Sequence, residues 1–536
     1  MINKHINNLK NILIPCLVLS CLTGIFTGGL IFAFKVAASK VISLSASLYS
    51  AVREAPILLA PFLLGLALLG TISFLILKVA PECKGGGIPT AITIIRGFVS
   101  FKWIYSAFGV FTSALVTFFG GVPLGNEGPS VQMGCAVGRG TVSIFARNNK
   151  AWDKYIMTGG ACAGFAAATG APLSGFLFAI EEIHRRFSPL VFMSVTVATI
   201  SSTVTMNALG TLFGVNTSLF HLHIEDILPV KYLPVAIVVG IACGVIALIF
   251  TTLYTLINKF INNTLKKWPY IVKIVSIFVI VGIFGFFASE FTSSGHAIVD
   301  ELLEGHRFAP YMLLLFLFVR AILLLFANNA GITGGLFVPS LAFGAIVGDL
   351  TGGAFVHFGL LPEEFRVIMI VVGMASFLAA YSRIPLIAIT FSVEALSGLS
   401  NILPIAVGCA FAYIAVELAG ITDISDVIIE NKIKTASEGK TFFIADVHMT
   451  VMDRSFVAGK EIRDILWLPT CNVASVNKAD PHSSHLHPGD VLHFRYKTSD
   501  PEESIRELES LLGKQEGEID LKLTEESNEH YSIPGN

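Results

Sequence analysis

The chain has 536 residues, of which 54% are hydrophobic and only 14% charged, with 48 glycines, a net charge of −2 and a mean hydropathy of +0.73. A soluble globular protein carries about 25% charged residues, so a wholly soluble chain is excluded and most of this one belongs in lipid. The near-neutral charge gives no footing for a nucleic-acid partner.

Apolar runs at about 11–34, 56–80, 103–120, 188–213, 233–258, 272–289, 310–328, 366–381 and 402–419 are predicted to span a hydrocarbon layer of ~30 Å. Shorter runs at about 88–99, 127–146, 157–181, 335–348 and 385–397 are broken by Gly and Pro, as expected of half-helices that meet inside a protein. The first run lacks a small-residue cleavage site, so it is expected to stay as a span. Lys4 and Lys10, then His184-Arg185-Arg186, then Lys259, Lys266, Lys267 and Lys273 mark cytoplasmic ends, while the Gly210–Val230 loop lacks Lys and Arg and is expected outside. The eight cysteines show no paired spacing, and neither a disulfide framework nor a metal cluster is expected. Past Glu430 the character changes. A polar linker at Asn431–Lys440 precedes alternating segments at Thr441–Val447 and Asp490–Tyr496, then a capped helix from Asp500 to Leu512 that ends at Gly513. The expected division is a membrane domain at 1–435, a small α+β soluble domain at 436–514 and an acidic, disordered tail at 515–536.

Two segments 210 residues apart look like copies: Gly125-Asn126-Glu127-Gly128-Pro129-Ser130 and Gly335-Leu336-Phe337-Val338-Pro339-Ser340. A second block at an offset of 213 pairs Pro172-Leu173 with Pro385-Leu386, Phe178 with Phe391 and Glu181 with Glu394. Internal duplication in an apolar chain is a mark of secondary transporters, which bind substrate where the repeats meet. Each copy of the first block begins a helix with Gly and Pro, and Gly85-Gly86-Gly87-Ile88-Pro89 has the same construction. A helix start at membrane depth presents unpaired N–H groups and the positive end of the macrodipole, so three converging starts make an anion site without a buried lysine. Glu127 has Phe337 as its counterpart and Glu182 has Ala395, so repeat symmetry requires neither carboxylate. An ionisable group at that depth costs roughly 2.5–3.5 kcal/mol and is functional by default. Ionised, Glu127 takes the place of an anion; protonated, it leaves. Glu181 and Glu394 match each other and are read as structural. His482, His485 and His487 are read as a polar loop, because no cysteine or carboxylate pattern supports coordination.

The three glycine segments resemble, in order and spacing, the anion-site motifs of CLC chloride channels and proton-coupled antiporters. Phe178-Ala179-Ile180-Glu181-Glu182 resembles the family helix that ends in the internal proton-transfer glutamate. Over residues ~10–435 the resemblance implies an all-α polytopic membrane protein of about eighteen helices in two inverted repeats, assembled as a homodimer with one anion pathway per subunit. By carry-over, Glu127 is the external gate and Glu182 the internal proton relay. Gly85, Gly86, Ile88, Asn126, Gly128, Leu336, Phe337 and Ser425 are the expected anion-binding positions. The sequence departs from the pattern at Gly86, where the family has serine, at Asn126, where it has Arg or Lys, and at Ser425, where the inner tyrosine falls. Ser455–Ile462 and Leu486–Leu492 are similar to the TrkA-C domain of potassium transport regulators, which implies a cytoplasmic module for a small-molecule regulator. The implied activity is chloride/proton exchange across a bacterial inner membrane, without a cofactor or enzyme active site. A fluoride/proton antiporter and a passive, regulated chloride channel are the alternatives.

Overall fold

In the computed structural model, the described residues are 12–85, 87–146, 149–217, 219–220, 224, 226–397, 399–453, 455–478, 483–515 and 519–525. They contain eighteen α-helices and one four-stranded sheet. The first sixteen helices fall into two sets of eight. The first set is α1 (Ile14–Glu54), α2 (Leu59–Val79), α3 (Ile88–Ile95), α4 (Trp103–Phe119), α5 (Glu127–Phe145), α6 (Asp153–Thr169), α7 (Pro172–Phe178) and α8 (Pro189–Phe213). The second is α9 (Leu233–Asn263), α10 (Tyr270–Phe287), α11 (His296–Leu303), α12 (Pro310–Asn329), α13 (Phe337–His357), α14 (Arg366–Ser382), α15 (Pro385–Ser392) and α16 (Ile402–Ala419). The duplication seen as short motifs thus extends, helix for helix, over nearly the whole membrane part. A final helix, α17 (Ile424–Ser437), follows the second set.

Nine helices among the described residues are long and apolar enough to cross a membrane, and eight match expected spans. The run near 103–120 forms a shorter helix of 17 residues, α4, while α13, expected as a broken piece, is continuous over 21 residues. The glycines of α13 do not break it; they let it lie against α14. A Cβ on Gly344 would sit 2.4 Å from the Gly373 carbonyl oxygen, and one on Gly373 would sit 2.3 Å from that of Gly344. The same reciprocal crossing joins α5 to α6, where Gly134 and Gly160 each bring a notional Cβ within 2.1 Å of the other's carbonyl oxygen. Helix α1 also exceeds expectation at 41 residues. No Gly or Pro interrupts 30–55, and its far end is tied down by Ser45 and Tyr49, which donate to the Phe119 and Gly120 carbonyls at 2.8 and 3.0 Å.

Two of the charges inside this apolar body have several partners each. Arg320, 1% exposed, donates to the carbonyls of Thr292 at 3.0 Å and Ser293 at 2.8 Å. Asp349 accepts both arms of Arg366 at 2.7 and 2.9 Å.

The C-terminal part forms an antiparallel sheet of order β2-β3-β1-β4, from β1 (Phe443–Thr450), β2 (Asn472–Asn477), β3 (Val491–Thr498) and β4 (Leu521–Glu525). Helix α18 (Pro501–Leu512) covers one face, started by the Asp500 side chain accepting from the Glu503 N–H at 3.0 Å and ended at Gly513, φ 93°. Two expectations change here. The linker expected at Asn431–Lys440 is helical as far as Ser437, because Asp423 caps α17 and Ile428, Ile429 and Ile433 bury one face of it. In the tail expected to be disordered from 515, Leu521–Glu525 pairs with β1 in register Val447↔Leu521 to Phe443↔Glu525; a strand edge and an alternating apolar pair, Leu521 and Leu523, outweigh the acidic composition. The tail at 526–536 lies outside the described residues.

This sheet region packs against the membrane part. The Tyr155 hydroxyl accepts from the Leu466 N–H at 3.0 Å, and Ser188 donates to the Asp464 carbonyl at 2.8 Å. Lys154 reaches the Trp467 carbonyl at 2.7 Å and Glu507 at 2.8 Å. Phe456 meets the rings of Trp152 and Tyr155 at 5.1 and 5.5 Å.

Candidate anion and proton pathway

Three bare glycines bring three helix starts together. A Cβ on Gly87 would lie 2.8 Å from the Gly128 Cα, and one on Gly128 would lie 2.9 Å from the Gly335 Cα. Gly87 precedes α3, Gly128 sits in the first turn of α5, and Gly335 leads into α13. Only residues without side chains allow backbones this close. The two repeats are also locked directly: the Gly125 N–H donates to the Gly335 carbonyl at 2.8 Å and the Gly335 N–H to the Gly125 carbonyl at 2.7 Å. These reciprocal bonds are the kind a local two-fold produces.

None of the three converging helices has a side-chain cap. Two other internal helix starts are capped by carboxylates exchanged between repeats. Glu181 accepts from the Leu386 and Ile387 N–H groups of α15 at 2.9 and 2.8 Å. Glu394 accepts from the Leu173 and Ser174 N–H groups of α7, both at 2.8 Å. Those two termini hold carboxylates from the other repeat, whereas the starts of α3, α5 and α13 have no carboxylate cap from the other repeat.

A cleft of about 570 Å³, solvent included, opens beside the convergence. Gly85, Ile88, Gly128, Leu336, Phe337, Ser425 and Glu182 line it. Gly86 lies outside the described residues. Asn126 faces elsewhere: with Ser293, Ser294 and His296 it lines a second cavity of about 310 Å³. Glu127 falls between Asn126 in one cavity and Gly128 in the other. It is fully buried, its carboxyl turned back over the helix start so that one oxygen would lie 2.6 Å from a Cβ at Gly125. The N–H groups in reach are its own and that of Val338, neither aligned as a full hydrogen bond.

Glu182 sits in a π-turn, Ala179–Ile183, that continues α7, and it is 3% exposed. Its carboxyl meets the Ser425 hydroxyl and the field of Asp423, Arg185 and Asp426. Arg96 fixes the turn by donating to the Ile183 carbonyl at 2.9 and 3.0 Å. Arg185 is in turn held by Asp426 at 2.9 Å.

Tyr381 escaped the sequence reading. It lines the cleft beside Phe337, with its phenol against the Ser340 and Ser382 hydroxyls. Its counterpart at the offset of 213 is Ala168, the same kind of repeat asymmetry that singled out Glu127. Ser425 lines the cleft as serine, so the aromatic hydroxyl there comes from α14 rather than α17.

The profile described as Voltage gated chloride channel matches residues 66–417. The H(+)/Cl(-) exchange transporter ClcA of Salmonella arizonae is 28% identical over 415 residues, covering 75% of this chain and 86% of the relative. That of Salmonella paratyphi B is 27% identical with the same coverage. Among solved structures, a slow cyanobacterial Cl-/H+ antiporter superposes with a TM-score of 0.71 at 25% identity, over 78% of this chain and 98% of that one. A CLC-type fluoride/proton antiporter shares the fold, with a TM-score of 0.62 at 18% identity over 75% and 95% of the two chains. Uncapped helix starts gathered by glycine, a buried glutamate between two cavities and a profile spanning 66–417 agree: this chain belongs to the voltage gated chloride channel (CLC) family.

Proposed function

We propose that the protein exchanges chloride for protons, with Glu127 as the gate and Glu182 as the proton relay at the end nearest the C-terminal domain. One observation carries this reading: a fully buried carboxyl stands between two cavities at the meeting point of three uncapped helix starts. Ionised Glu127 is a tethered anion for those termini; a halide displaces it, and protonation releases it. Backbone N–H groups of Leu336, Phe337, Ile88 and Gly128 face the halide, supplemented by the Ser425 and Tyr381 hydroxyls. Asn126 works from the other cavity and meets the ion at entry. The names of the ClcA relatives and of the cyanobacterial antiporter support chloride as the anion.

The proposal includes a homodimer in a bacterial inner membrane with its C-terminal domain in the cytoplasm. Arg185 and Arg186 beside that domain, and a Gly210–Val230 stretch without Lys or Arg, support this orientation. A TrkA-C-like regulatory role for the domain is supported by its grip on Ser188 and Arg186, directly after Glu182. Purified protein in liposomes tests the activity. An outward chloride gradient is expected to drive protons uphill. Anion flux without proton movement would make the protein a channel, and proton pumping by fluoride but not chloride would make it a fluoride antiporter.

A further inference from the structure

The exposed face of the C-terminal sheet brings together three ligating side chains that transport does not use. His448 on β1 is the direct cross-strand partner of His493 on β3, and their rings stack with centroids 4.3 Å apart and planes 6° from parallel. Asp446, two residues before His448, points from the same face and forms a short hydrogen bond with the His493 Nε2. One ligand atom from each residue lies within 4.8 Å of the others.

We infer that Asp446, His448 and His493 form a binding site for a first-row divalent transition metal of the zinc type. Two imidazoles and a carboxylate are the donor set that such ions take, at about 2.0–2.2 Å each. That geometry needs ligand atoms about 3.3 Å apart, so binding requires the side chains to rotate inward from their separation of up to 4.8 Å. Ca²⁺ and Mg²⁺, which take oxygen ligands, are poor fits. The hydrogen bond between Asp446 and His493 occupies the place of the metal, so binding breaks it and leaves the imidazole proton on the other ring nitrogen. This hydrogen bond also holds the Asp446 carboxyl below the usual carboxylate range, ready as an anionic ligand. Three protein ligands leave one position open to water or an exogenous donor.

Polar and charged neighbours on the adjoining strands surround the three ligands. Arg495 on β3 and Lys522 on β4 lie opposite Asp446, and Ser475 on β2 lies opposite His493.

Titration of the full-length, detergent-solubilised protein with Zn²⁺ against a chelator of known affinity tests the site. The wild type is expected to bind one equivalent that His448→Ala/His493→Ala loses, that Asp446→Asn weakens at least tenfold, and that His485→Ala retains. Circular dichroism of the double variant serves as the check on folding. A double variant that stays folded and still binds the same number of ions with unchanged affinity would overturn the site.

Discussion

Glu127 and Glu182 are both buried carboxylates, but their surroundings differ. Glu127 faces backbone N–H groups and no basic side chain in hydrogen-bonding contact, so its charge and a halide's are interchangeable there. Glu127→Gln, neutral at every pH, is expected to abolish proton coupling while anion movement persists; stoichiometric exchange in proteoliposomes of that variant would rule out the gate. Glu182 sits among Asp423, Arg185 and Asp426, with no open helix start to tempt an anion. Glu182→Gln is expected to suppress proton flux and leave chloride flux largely intact, and equal loss of both would assign it to folding instead. Tyr381 offers the cleft an aromatic hydroxyl. Tyr381→Phe should weaken halide binding roughly fivefold to tenfold, the equivalent of one hydrogen bond of about 1–1.5 kcal/mol, measured by calorimetric titration with chloride.

Between elements, glycine sets the distances. The α5–α6 and α13–α14 crossings bring carbonyl oxygens to within about 2 Å of where a Cβ would stand, so a methyl group there forces two backbones apart. Gly160→Ala should destabilise the protein by about 1–3 kcal/mol, seen as a lower unfolding midpoint in detergent, whereas Gly29→Ala, with open space around it, should not. The repeat offsets made the α5 and α13 starts legible as a pair, and the Gly85–Pro89 segment legible as a third. The match of Glu181 with Glu394 was legible as a structural pair, but not which helix starts they cap. Each carboxylate bonds a helix over 200 residues away in sequence, and no local pattern encodes such a partner. Helix α1 was underestimated because Lys35 and a serine-rich stretch end its hydropathy signal, while its backbone, free of Gly and Pro, continues the helix.

Across the molecule, the C-terminal domain is attached twice: covalently through α17, whose Ser425 lines the cleft, and by contact at Tyr155, Arg186 and Ser188. The second attachment ends at residues that closely follow Glu182 in the chain. Tyr155→Phe removes the acceptor for the Leu466 N–H, a loss of about 1 kcal/mol, and should speed tryptic cleavage after the exposed Lys440. Unchanged cleavage would mean that this hydroxyl does not hold the domain in place. Deletion of residues 436–536 should alter the exchange rate without abolishing exchange, because the cleft is complete without them.

The sequence by itself determined the membrane habitat, the repeat, the helix starts and the two carboxylates, because each is written in local composition or in a fixed offset. Only the tertiary structure decided which helix starts stay uncapped, that Asn126 and Gly128 face different cavities, and that Tyr381 joins the cleft. It also decided which strands bring His448, His493 and Asp446 together. These features depend on contacts between residues far apart in the chain, and a sequence read locally carries no distance between them.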